Sequence, residues 1–132
     1  MTAKIIDGKA TALEVRQKVA EDVAEMVAAG KPNPGLATVL VGEDPASQVY
    51  VRSKIRACEK AGIESFGYNL RATATQEEVE GLVKELNADP RVNGILVQLP
   101  LPKTVNTALV ISAIVNFSSR FNNFAVFQSR LL

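Results

Sequence analysis

The chain has 132 residues, of which 47% are hydrophobic and 22% charged, with a formal net charge of +1 at neutral pH. That length suits one domain burying roughly 65–70% of the surface its unfolded chain exposes, and the near-zero charge gives no electrostatic ground for a nucleic-acid or anionic-membrane partner. There is no histidine, which excludes Ser-His-Asp and Cys-His catalysis and most zinc sites within these residues. Acid and base work is left to Lys, Tyr, Asp and Glu.

The single cysteine, Cys58, has no partner for an internal disulfide. It falls on an apolar stripe, which makes it a small core residue and suggests a reducing compartment. The start, Met1 to Lys9, lacks the roughly 7–15-residue apolar core of a secretion signal, and no run approaches the ~20 residues of a membrane span. The expectation is a cytoplasmic protein without a membrane partner.

In chain order, Ile5 and Ile6 precede an Asp7-Gly8 turn and a long helix from about Lys9 to Ala29. Val15, Val19, Val23, Met26 and Val27 recur at helical spacing, so this is expected to be a packing helix. Gly30-Lys31-Pro32-Asn33-Pro34-Gly35 ends it, because two prolines and two glycines do not continue a helix. Leu36 to Val41 is a continuous apolar run of strand length, suited to burial on both faces.

The next stretch, Gly42 to Gly62, writes its own helix ends: Asp44 as N-cap, Pro45 at the first helical position and Gly62 as the left-handed residue after the last turn. At about 100° per residue, Gln48, Arg52, Arg56, Glu59 and Lys60 gather on a water side, while Val51, Ile55 and Cys58 make an apolar stripe. Tyr50, Lys54, Ala57 and Ala61 form a third row, roughly opposite the charges. Lys54 therefore points where the helix packs. Such a lysine either snorkels to the rim or is placed in a pocket, with Tyr50 one turn away and able to share a small ligand.

Ser65 to Leu70 alternates, with Phe66, Tyr68 and Leu70 on one side, and reads as a second strand. Thr75-Gln76-Glu77-Glu78 is a capping box in front of a helix whose stripe is Val79, Leu82, Val83 and Leu86, closed by Asp89-Pro90. Gly94 to Leu99 is a third buried strand carrying Gln98 near its end, followed by the stiff exit Pro100-Leu101-Pro102. Strand, helix, strand, helix, strand is the rhythm of a three-layer α/β domain with a parallel βαβαβ sheet flanked by helices. Ligands of such sheets sit beyond the carboxyl ends of the strands, so Tyr50, Lys54 and Gln98 can converge on one crevice. Alone, Gln98 reads equally as a buried amide bonded to backbone.

The stretches V-G-E-D-P-A-S-Q-V-Y-V-R-S-K and G-I-L-V-Q-L-P-L-P resemble the bifunctional methylenetetrahydrofolate dehydrogenase/methenyltetrahydrofolate cyclohydrolase family, over about Ile5 to Ala113. The resemblance implies a role in one-carbon folate metabolism with a folate substrate. Lys54 would be the central catalytic residue of the cyclohydrolase step, helping water attack the methenyl carbon. Tyr50 would stack on or bond to the folate, which Leu99 and Pro100 would also line, and Gln98 would hold the lysine.

The chain also departs from that pattern. The family continues into an Asp-Val-Asp-Gly-Phe-His-Pro segment, whereas no Asp or Glu follows Asp89 here. The resemblance therefore assigns 1–115 to the catalytic domain and leaves 116–132 as a Phe-rich tail containing Phe117, Phe121, Phe124 and Phe127. That tail reads either as a helical face that covers bare surface or docks a partner or a second copy, or as an unselected product of a frameshift, splice or gene-model error. The family's second, Rossmann-type domain is expected to be lacking, and no G-x-G-x-x-G is present. The full-length family uses NAD(P); this chain alone is expected to bind none and to be weakly active or inactive.

Two other functions remain open on the sequence. One is a non-catalytic folate-binding or interaction domain pairing with another chain. The other is an unrelated Schiff-base enzyme using Lys54 beside a phenol, which the Leu-Pro-Leu-Pro context argues against.

Overall fold

The computed structural model describes residues 2–118. Seven elements follow in order: α1 (Gly8–Ala28), β1 (Gly35–Val41), α2 (Pro45–Lys60), β2 (Glu64–Leu70), α3 (Gln76–Ala88), β3 (Gly94–Val97) and α4 (Thr107–Ser118). The Phe-rich tail expected over 116–132 lies outside the described residues except for the backbone at its first three positions, which continue α4.

The three strands form one parallel sheet in the order β2-β1-β3. Gly35 lies opposite Glu64 on one side, and Leu36 opposite Gly94 on the other. The sequence pattern explains why β1 is central: it is the strand with the longest uninterrupted apolar run, and burial on both faces suits such a run. On one face Ala37, Val39 and Val41 pack with Val79, Val83 and Leu86 of α3 and with Val110 and Ile114 of α4, forming the core. Phe66, Tyr68 and Leu70 of β2 join the same cluster, as their alternation predicts. The opposite face, carrying Thr38 and Leu40, turns towards α2.

Gly35 fixes where this sheet begins. Its N–H donates to Asn93 Oδ1 at 2.9 Å, and its carbonyl accepts from the Asn93 N–H at 2.8 Å. A Cβ at that position would collide with the Arg91 carbonyl oxygen. The entry to β1 and the turn leading into β3 are thus joined by one backbone bond and one bond to the Asn93 side chain.

The structure corrects two of the expected elements. The third strand ends at Val97 rather than Leu99, although the Gln98 N–H still donates to the Val39 carbonyl at 2.9 Å. Pro100 has no N–H with which to prolong the ladder, and the Leu99–Pro100 peptide is cis. The first helix has the expected extent but is not a packing helix. Val23 is its only buried residue, set against Gly62, whereas Val15 and Val27 remain 57% and 41% exposed. Periodicity gave the helix correctly, but burial of its stripe is decided by which elements lie against it, and periodicity does not encode that.

Candidate active site

The site is built at the carboxyl edge of β1 and β3, where α2 begins. Gly42 leaves β1 with φ of 95°, a conformation natural to glycine, and lets the chain turn at once into the helix. Asp44 then caps α2: its carboxylate accepts from the Ser47 N–H at 2.8 Å, with Pro45 at the first helical position. Bonding to Ser47 holds the Asp44 carboxyl below the usual carboxylate range. The start of α2 is therefore fixed locally, and with it the direction of Lys54 nearly three turns later.

Lys54 does not snorkel away from the sheet. Its Nζ donates to Gln98 Oε1 at 2.8 Å across 44 residues of sequence. Gln98 is 3% exposed, and its Nε2 donates to the Leu99 carbonyl at 2.9 Å. That second bond decides which end of the amide is oxygen, because only the NH₂ group can serve a carbonyl. The oxygen is left to face the lysine. Burial pushes the Lys54 ammonium below its ordinary value of 10.5, since desolvation disfavours the charged form.

The other three expected site residues frame this pair loosely. Tyr50 stands one turn before Lys54 on the same side of α2 and is 41% exposed, so its ring is open to a ligand. Leu99 is half-buried and contributes its carbonyl, while Pro100 is exposed at the rim. Sequence reasoning singled out neither that carbonyl nor Ser47, whose side chain is 3% exposed in the first turn of α2. Ser47 carried a readable signal: it lies three residues after an N-cap aspartate, where its N–H receives the cap.

A lysine with a lowered pKa, held by a neutral acceptor and flanked by an open phenol, is suited to exchanging a proton with a flat polar ligand. The sequence profile described as tetrahydrofolate dehydrogenase/cyclohydrolase, catalytic domain, matches residues 6–116. The chain belongs to this family. It is 56% identical over 114 residues to the bifunctional protein FolD of Moorella thermoacetica, covering 86% of this chain and 40% of that protein. The FolD of Rhodopirellula baltica is 59% identical over 106 residues, covering 80% and 35% respectively.

Among solved structures of the family, a 5,10-methylenetetrahydrofolate dehydrogenase from the silkworm Bombyx mori superposes with a TM-score of 0.82 at 40% identity, covering 86% of this chain and 39% of that one. The FolD of Trypanosoma brucei, complexed with NADP and an inhibitor, gives 0.78 at 36% identity, covering 86% and 39%. This chain thus spans about 40% of the length of the curated family members it matches. Among its described residues no helix is long and apolar enough to cross a membrane, and no cluster of potential metal ligands is present.

The starts of α2 and α3 are not built as glycine-rich nucleotide turns. Glycine-rich nucleotide turns place pyrophosphate at a helix N-terminus, against bare backbone N–H groups. Here the Asp44 carboxylate fills the start of α2, and the reciprocal bonds of Thr75 and Glu78 fill the start of α3. A pyrophosphate at either place would meet a carboxylate.

Proposed function

We propose that this chain provides the folate-facing half of a 5,10-methylenetetrahydrofolate dehydrogenase/5,10-methenyltetrahydrofolate cyclohydrolase, with Lys54 as its proton-exchanging residue. The observation that carries this reading is the Lys54 to Gln98 bond of 2.8 Å at the sheet edge, with the lysine pKa lowered by burial. Lys54, which desolvation biases towards the neutral amine, accepts the proton that water loses as it attacks the methenyl carbon. Gln98 fixes where the amine stands. Tyr50 offers its ring to the flat pterin, and Leu99 and Pro100 border the same crevice. The dehydrogenase reaction draws on a nicotinamide cofactor, and membership of the tetrahydrofolate dehydrogenase/cyclohydrolase family supports a folate substrate. A lone cysteine and the absence of a long apolar helix among the described residues support a cytoplasmic setting.

A second reading, an interaction domain that pairs with another chain, is favoured by the exposed apolar residues of α1. One experiment separates the two. Hydrolysis of methenyltetrahydrofolate by the purified chain is measured beside Lys54→Met, with folate binding followed in both. Loss of roughly 10²–10⁴-fold in hydrolysis with binding retained is expected. A folded Lys54→Met variant that hydrolyses at the wild-type rate removes Lys54 from the mechanism.

A further inference from the structure

We propose that the cleft between α2 and the edge strand β2 is a second binding site, for a small carboxylate carried on an apolar body. The cleft has a volume of about 590 Å³ and opens at the carboxyl ends of β1 and β2. That is within the range of small-molecule sites and at the edge of the sheet where ligands of parallel α/β folds bind. It is distinct from the Lys54 crevice. Arg52, which lines it, is two residues from Lys54 and hence about 160° away around the helix.

The lining states the chemistry. Two guanidinium groups, Arg52 and Arg71, border the cleft with one carboxylate, Glu43. Neither arginine is ion-paired among the described residues. Arg52 is steadied only by a long contact of 3.5 Å to Gln48 Oε1. Two positive charges against one negative leave a surplus that a single carboxylate neutralises, whereas a dianion would overshoot it. Guanidinium groups suit carboxylates because their paired N–H donors match two oxygens.

The rest of the wall is apolar, from Leu40, Val51 and Ile55, so the body of the ligand has a surface to cover. Gly67 keeps the floor thin. A Cβ there would come within 3.9 Å of Thr38 Oγ1, a buried hydroxyl with no hydrogen-bond partner among the described residues. Buried hydroxyls are rarely left unpaired, and this one lies directly behind the bare glycine.

The probes are benzoate, benzyl alcohol and phenyl phosphate, titrated into the ¹⁵N-labelled full chain and followed by amide chemical shifts. Benzoate is expected to move Gly42, Gly67 and Ala72 saturably, with a Kd on the order of 1 mM, as a ligand of so few atoms allows. Gln98 and Leu99 stay in place. Arg52→Gln and Arg71→Gln, both at the surface, should each weaken binding about fivefold or more, and benzyl alcohol should bind at least as much more weakly. The assignment is overturned if benzoate gives no saturable shift by about 20 mM, if benzyl alcohol matches it, or if the shifts centre on Gln98. Phenyl phosphate binding about tenfold tighter than benzoate would overturn the charge argument. None of these outcomes depends on whether Lys54 is catalytic.

Discussion

Gln98 meets Lys54 as a neutral acceptor, and its own NH₂ is committed to the Leu99 carbonyl. A glutamate there would set a carboxylate oxygen against that carbonyl and add a full negative charge beside the ammonium. Burial and charge then act in opposite directions on the lysine. Wild-type Lys54, followed by the ¹⁵Nζ or adjacent methylene resonances, is expected to titrate below 10.5. Gln98→Glu should raise the midpoint, and an unchanged midpoint would mean the two side chains are not coupled in solution. The same shift has a sign in stability. A lysine depressed in the fold holds fewer protons than its unfolded counterpart between the folded value and 10.5, so stability rises with pH across that window. Below the window the penalty is fully present, and replacing Lys54 by methionine should relieve it.

At the scale of elements, legibility followed how local the signal was. The ends of α2 and α3 were readable because a cap is a matter of a few neighbouring residues: Asp44 with Pro45, and Thr75 with Glu78. In α3 both halves of the box form, at 3.1 Å and 2.9 Å. Thr75→Ala should therefore cost about 1 kcal/mol of stability in denaturant unfolding, while Thr75→Ser costs little. Equal stability of all three proteins would show that packing of Val79, Val83 and Leu86 alone holds the helix start. What was not local was not legible. The fate of the apolar stripe on α1 depends on which other elements lie against it, which no window of α1 contains. The end of β3 depends on which partner strand runs on, and the water side assigned to Gln48 and Arg52 proves to border a cleft because β2 carries Gly67 beneath them.

For the whole molecule, the order β2-β1-β3 brings the carboxyl ends of the strands and the start of α2 to one edge, so that Lys54 and Gln98 meet although 44 residues separate them. Their convergence was readable from the sequence because a parallel sheet has one ligand-bearing edge. The atoms that orient the amide were not, since a backbone carbonyl carries no residue-specific mark. The same edge carries the last prediction. Of the helices that begin there, α2 has its Ser47 N–H bonded to Asp44, α3 its Glu78 N–H bonded to Thr75 and α4 its Leu109 N–H bonded to Asn106, with Asp44 and Glu78 contributing negative charge. A dinucleotide needs those groups bare for its pyrophosphate, and hydride transfer needs the nicotinamide ring held against the substrate carbon. Calorimetric titration of the purified chain with NAD and with NADP should accordingly give no saturable heat up to about 1 mM, with or without folate present. Stoichiometric binding of either cofactor, with amide shifts at Ser47 or Glu78, would show that the caps yield to pyrophosphate and that this chain seats the dinucleotide itself.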